Sequence, residues 1–179
     1  MKRSLWVFPL VVLMAFTLGC QDQKALAELG EMKVQAEVEE QNIDLVKRFI
    51  EELNSQNGEI YMEICGPDYR WYFPSNSPDP LSREEEMEFV KGIWESFPDI
   101  TWIIEDIFAS DNRVFAQLTT RGTHEGEFMG IAATGKPIAV SLVLAFRIED
   151  GKLVESREEA DMLRMMQQLG MELKPAAGG

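Results

Sequence analysis

The sequence predicts an α+β domain in which helices come first and a curled antiparallel sheet follows. Ile43, Val46, Ile50 and Leu53 recur at three- and four-residue spacing, the period of a helix packed along one side. From Thr101 onward the pattern changes to strands, punctuated by the turn pairs Asp111-Asn112 and Asp150-Gly151. In the longest strand Ile138, Val140, Leu142, Leu144, Phe146 and Ile148 face one way, while Ala139, Ser141, Val143, Ala145 and Arg147 face the other. Both faces are largely apolar and call for cover. Helices are expected on one, and the curled other face must be filled or must line a cavity.

Taken in order, the first domain helix ends at Asn57-Gly58, and a short helical or looped piece from Glu59 to Cys65 leads through Gly66-Pro67 into an aromatic strand, Tyr69 to Phe73, stopped by Pro74. Ser82 with Glu85 forms a capping box that starts the second helix. Its apolar face carries Met87, Val90, Trp94 and Phe97, and Pro98 ends it. Strands are expected over Thr101–Ala109, Arg113–Thr123, from Pro137 or Ile138 to Ile148, and over Lys152–Arg157, and a last helix over Asp161–Leu169, closed by Gly170.

With 45% hydrophobic and 27% charged residues, the chain holds enough apolar material for one domain core. Its 17 basic against 31 acidic residues would repel phosphates, so nucleic acid is not expected as a partner. The N-terminus is a separate matter. Lys2 and Arg3 precede the uncharged run Leu5 to Leu18 and then Gly19-Cys20, the layout of a targeting segment. The run falls short of the roughly 20 apolar residues that span a bilayer. Gly19-Cys20 followed by Gln21-Asp22-Gln23 resembles a bacterial lipobox, although Thr17 stands where an aliphatic residue is usual. That resemblance implies cleavage before Cys20, lipid on its sulfur and an exported, membrane-anchored lipoprotein, on the periplasmic or extracellular side. The expected organisation is therefore a signal peptide (1–19), a tether or stalk helix (20–41), one globular domain (42–173) and a flexible tail (174–179). Cys65 then stands alone, without a disulfide partner.

Phe97-Pro98-Asp99, Gly122-Thr123-His124 with Gly126 and Gly130, Thr134-Gly135-Lys136, Phe146-Arg147, Asp150-Gly151-Lys152, Glu155, Asp161 and Gln168-Leu169-Gly170 stand in a fixed order. This ordered set resembles the SnoaL-like polyketide cyclases, or ester cyclases, a branch of the nuclear transport factor 2-like superfamily. The resemblance covers about Asn42 to Leu173. It implies a cone-shaped barrel with one enclosed small-molecule pocket, with no metal and no cofactor. In ring-closing members the carboxylate aligned with Asp161 is the base that removes an acidic carbon-bound proton.

A proton beside a carbonyl needs a carboxylate whose pKa an apolar pocket has raised, and Asp161 is the candidate; an Asp at this point is also a common helix cap. His124, the one histidine of the chain, is the candidate donor or proton shuttle, or a turn-edge residue satisfied by backbone. Arg147 stands where some ring-closing members carry histidine. It could bind an anionic or carbonyl oxygen, or pair with Glu105 or Glu155. Trp71, Tyr72, Phe73, Trp94, Trp102 and Phe146 could wall an aromatic ligand, with Tyr72 as a hydroxyl donor, or serve as core. The run Glu155 to Glu159 reads as a solvated strand end and not as a metal site. Two functions follow: a cofactor-free cyclase or isomerase acting on a carbonyl substrate through Asp161, or a membrane-tethered binder of a small hydrophobic molecule. A homodimer is a further expectation from the resemblance.

Overall fold

The computed structural model describes the backbone of residues 7–172 and the side chains of residues 23–172. Lys2 and Arg3, the side chain of Cys20 and the expected tail lie outside the described residues. The chain resolves into two compact units, Met1–Val38 and Glu39–Gly179. A single helix, α1 (Val7–Asn54), contributes to both, so the expected stalk and the first domain helix are one element. Among the described residues no helix is long and apolar enough to cross a membrane.

In the second unit, α1 buries Val46, Phe49, Ile50 and Leu53, the stripe its spacing predicts. The chain continues through α2 (Ile60–Ile64), β1 (Cys65–Tyr72) and α3 (Arg83–Ser96). Ser82 caps α3 with the expected box: its hydroxyl accepts from the Glu85 N–H, and the Glu85 carboxylate accepts from the Ser82 N–H at 2.8 Å. β2 (Thr101–Ser110), β3 (Arg113–Thr123), β4 (Pro137–Glu149), β5 (Lys152–Ala160) and α4 (Met162–Leu169) follow.

The five strands form one sheet in the order β1-β5-β4-β3-β2. β2 to β5 are antiparallel neighbours, whereas β1 joins parallel to β5. The expected antiparallel sheet is thus mixed at one edge, because α3, β2, β3 and β4 lie between β1 and β5 in the chain, and so long a connection lets β1 enter parallel to the strand it meets. Along β3 and β4 the inward set is Val114, Ala116, Leu118 and Thr120 with Ile138, Val140, Leu142, Leu144 and Phe146, all buried. The β1–β5 pairing is irregular between Cys65 and Arg70, and two bulges reset the alternation among the antiparallel strands. One falls in β2 between Ile104 and Asp106, the other where Arg147 and Ile148 of β4 meet Glu155 and Leu153 of β5. Past the second bulge the inward residues of β5 are Ser156, Glu158 and Ala160, and no longer the odd-numbered set that starts at Leu153.

The described helices supply cover to the inward face only. On the outward face Ile103, Phe108 and Val143 are exposed, and Phe108 stacks on Phe115 with ring centroids 5.4 Å apart. Cover on both sides, as the two-sided apolar pattern of β4 suggests, is therefore not what this chain provides. At the far end of β4, α4 continues where β5 stops. The Gln168 side chain accepts from the Ala139 N–H at 2.7 Å and donates to its carbonyl at 3.0 Å, closing the ladder as a strand neighbour would.

Candidate active site

The inward face of the sheet and the helices enclose two adjoining chambers. The larger is a cavity of about 250 Å³, near the lower bound for small-molecule sites. Its walls are apolar side chains, among them Phe73 and Phe89, Ile93 from α3, Phe128 and Met129 from the loop after β3, and Met162 and Met165 from α4. Besides the Trp102 indole, Glu158 and Thr120 bring polar side-chain atoms to this lining. The smaller chamber, of about 50 Å³, lies behind Glu158 and is lined in part by Tyr61, Trp71, Glu86 and Ser156. Glu158 belongs to both.

Glu158 is positioned by β5 and held by Trp71 of β1, whose indole N–H donates to its carboxylate at 3.2 Å. Burial pushes its carboxyl up to about 7; the Trp71 bond opposes that rise and the neighbouring Glu159 charge adds to it. Glu86 sits on the buried face of α3, four residues before Val90 and eight before Trp94. Burial raises its carboxyl to about 8. The Tyr69 hydroxyl, which closes no hydrogen bond in this structure, and the Tyr61 hydroxyl, which donates at 3.3 Å, favour the anion, while the Glu158 charge disfavours it. Both tyrosines are themselves held well above the ordinary phenol range, first by burial and then by Glu86, so they remain donors. A carboxylate poised near neutrality inside an apolar cavity is the group that proton abstraction from carbon requires.

The residues singled out in the sequence occupy other places. Asp161 is exposed and does not line either chamber. Its carboxylate accepts from the Arg164 N–H at 2.9 Å and so caps α4. The base expected there is a cap, because Asp161 leaves the alternation of β5 as the chain turns into the helix. His124 is fully buried and lines neither chamber. Its Nδ1 accepts from the Thr134 N–H at 3.3 Å and lies 3.1 Å from the Thr134 hydroxyl, and its ring stacks on Phe97 at 5.0 Å. Nε2 has no hydrogen-bond partner.

Tyr72 lies on the opposite side of β1 from Trp71, under the Arg157 guanidinium at 4.0 Å, and does not reach a chamber. Arg147 bonds Glu149 and lies 3.9 Å from Glu155 on the outward side, the ion-pair alternative rather than a ligand contact. Trp94 packs in the core without facing a chamber. Of the aromatic candidates for the ligand wall, Phe73 and Trp102 line the larger chamber, and Trp71, Trp102 and Phe146 border the smaller, Trp71 as the partner of Glu158. Burial pushes the Cys65 thiol far above its ordinary range, with the Glu86 charge adding to the rise, so it is no nucleophile. Among the described residues no group of His, Cys, Asp or Glu is arranged to hold a metal ion.

Several of the ordered motifs meet beside the cavity, around the ends of α3, β3 and α4, whereas Arg147, Asp150-Gly151-Lys152 and Glu155 lie at the β4–β5 turn. Asp99 accepts from both the Thr123 N–H at 2.6 Å and its hydroxyl at 2.8 Å, tying the end of α3 to the end of β3. Ser96 accepts from the N–H groups of Glu125 and Gly126 and donates to the Glu127 carbonyl. A Cβ on Gly126 would fall 2.5 Å from the Glu95 carbonyl oxygen, so only glycine fits that approach. Lys136 donates to the Leu169 carbonyl at 3.2 Å, and Gly170 ends α4 in the left-handed region at φ 100°.

The family model for SnoaL-like polyketide cyclases matches residues 43–169. The chain belongs to that family. Among relatives of this SnoaL-like chain, the aklanonic acid methyl ester cyclase of Streptomyces peucetius is 28% identical over 139 residues, covering 72% of this chain and 90% of its own. The enzyme of the same description from Streptomyces sp. strain C5 is also 28% identical, over 72% and 81%. AclR of Streptomyces galilaeus, assigned as a hydroxylase, superposes with a TM-score of 0.67 at 28% identity, over 76% of this chain and 97% of its own. IdmH of Streptomyces antibioticus, assigned as a polyketide cyclase, gives 0.65 at 30% identity, over 73% and 99%.

Proposed function

We propose that this SnoaL-like protein binds a small, neutral, largely apolar carbonyl compound in the larger chamber and uses Glu158 as a general base on a C–H beside the carbonyl. The reading rests on one observation: the single carboxyl group in the wall of an otherwise apolar cavity is poised near neutrality. The carboxylate takes the proton, the electron pair moves onto the carbonyl oxygen, and the resulting enolate carbon is free to attack a second carbonyl of the same molecule or to be reprotonated elsewhere. The names of the relatives favour ring closure. With no basic side chain in the cavity lining, an anionic ligand would enter without a partner for its charge.

Thr120 suits a second polar contact. It pairs with Val140, whereas Glu158 pairs with Leu144. Two strand spacings and four residues separate them, on the order of 15 Å between Cα atoms if the sheet were flat. The buried Thr120 hydroxyl has no partner in the protein and would bond a group at the far end of a ligand, away from the reacting carbon.

Glu158→Gln is expected to lower turnover of a cyclisable carbonyl substrate by about 10²- to 10⁴-fold, the usual worth of a general base, with ligand affinity retained. Unchanged turnover would remove the reading. The second reading, a binder without chemistry, is favoured by Asp161 and His124 lying outside the cavity. It predicts ligand affinity in the wild type with no product from any carbonyl probe.

Tethering through lipid on Cys20 and export belong to the same proposal, on the strength of Lys2-Arg3, the Leu5–Leu18 run and Gly19-Cys20. Palmitate labelling that disappears in Cys20→Ala would support it, and an unlabelled wild type would dismiss it. A homodimer is proposed through the outward face at Ile103, Phe108 and Val143, to be judged by sedimentation of the wild type against Phe108→Lys.

A further inference from the structure

The smaller chamber is not explained by substrate binding alone. Its volume of about 50 Å³ exceeds the roughly 10–15 Å³ that one water needs, and a buried water is stable where it finds two to four polar partners. Those partners are present. Glu86 is 6% exposed and its Oε2 has no hydrogen-bond partner; Ser156 is 1% exposed and its hydroxyl is likewise unpartnered. Both border the chamber together with Glu158. Leaving two such groups desolvated is unfavourable; the Tyr61 and Tyr69 hydroxyls stand beside Glu86, and the other side chains that surround the pair are largely apolar. From α1 come Phe49, Ile50 and Leu53, and from β2 and β4 come Trp102, Leu142, Leu144 and Phe146.

The titratable groups around the pair are few. α2 contributes Tyr61, bonded to Glu86 through Oε1; β1 contributes Tyr69 and Cys65, both protonated across the neutral range. Glu159 on β5 is exposed and engaged with Ser75. No cationic side chain lines the chamber, so the neighbour with which Glu158 can exchange a proton is Glu86.

We propose that this chamber holds ordered water bound by Glu86, Ser156 and Glu158, and that the water couples the two carboxyl groups so that they share a proton. Glu86 is then a positioning residue: it touches no substrate, and by holding the shared proton it sets how readily Glu158 is free to accept one from carbon. Within the singly protonated pair, Glu158 passes its proton to the water as that water passes one of its own to the Glu86 carboxylate, which leaves Glu158 as the free base; the reverse transfer returns the proton to Glu158. No other reactant is needed. The role assigned to Glu86 rests on the reading of Glu158 as the base, whereas the water site and the coupling do not.

The test therefore uses no substrate. Carbon-13 labelling of the glutamate side chains would follow Glu86 and Glu158 through a pH titration of the full chain. Two interacting steps are expected, and in Glu158→Gln the Glu86 midpoint should drop by about one pH unit. Placing the same substitution in a Ser156→Ala background, which removes only one hydroxyl, should shrink that drop. A crystal structure at high resolution should show water within hydrogen-bond distance of Glu86 and Ser156. A Glu86 midpoint that is the same with and without Glu158, or a dry chamber, would overturn the proposal. If Glu158→Gln retains full turnover while the midpoints remain coupled, the base reading fails and the water site stands.

Discussion

Glu158 and Asp161 are three residues apart, yet they occupy different solvents. Glu158 projects from β5 into an apolar cavity, accepts one hydrogen bond from Trp71 and is poised near neutrality. Asp161 projects outward, takes the N–H of Arg164 and begins α4. Two carboxylates so close in sequence differ because a strand alternates its sides with a period of two, whereas the chain leaves that period at Ala160 to begin a helix. Acid–base chemistry follows environment, so the residue three positions upstream of the motif aspartate is better placed for it.

The sharpest way to break this comparison is to remove each charge in turn and measure turnover. Glu158→Gln should lose about 10²- to 10⁴-fold in kcat, while Asp161→Asn should remain within a factor of a few, because asparagine caps a helix as well as aspartate does. The opposite ranking would move the chemistry to Asp161.

A smaller effect, measurable without a substrate, is the pH dependence of stability. The folded-state carboxyls of Glu86 and Glu158 are raised to about 8 and about 7 from the usual carboxylate value. The folded state therefore keeps protons that the unfolded chain releases. The stabilisation is fully present below the ordinary carboxylate pKa and is lost as pH rises through about 7 to 8. A tenfold difference in proton affinity between the two states is worth about 1.4 kcal/mol, so the loss between pH 5 and pH 9 should be several kcal/mol, with about 7 as its upper bound. Urea unfolding at both pH values should show this decline in the wild type and a shallower one in Glu86→Gln. A flat profile in the wild type would mean that the pair is solvated after all.

The same contrast explains how far the sequence could be read. The helical stripe of α1, the Ser82–Glu85 box and the strand pairs around Asp111 and Asp150 were legible, since each is local and periodic. The motif set was legible as a family mark, yet Asp99, His124, Gly126, Gln168 and Gly170 turn out to knit together the ends of α3, β3 and α4 beside the cavity. Such residues specify the fold and leave the reaction open. Glu158 was hidden by a bulge. Counting alternate residues from Leu153 points Glu155, Arg157 and Glu159 inward, and the extra residue at the bulge reverses that assignment. Nothing local in Val154 announces it. Glu86 was more accessible, because its spacing from Val90 and Trp94 places it on the apolar stripe of α3, where a carboxylate is out of keeping.

The smallest predicted effect concerns Asp161 itself. Replacing a helix cap by alanine costs about 1 kcal/mol, and here the cost falls on an eight-residue helix that buries Met165 and Leu169. Met162 and Met165 wall the cavity, so fraying of α4 would loosen the ligand site without touching the base. Asp161→Ala should therefore raise KM more than it lowers kcat and reduce stability by about that amount, whereas Asp161→Asn should do neither. Urea unfolding combined with steady-state kinetics on both variants separates a cap from a base. A loss of kcat common to both, with the stability of Asp161→Asn unchanged, would show that the exposed carboxylate turns inward when substrate binds.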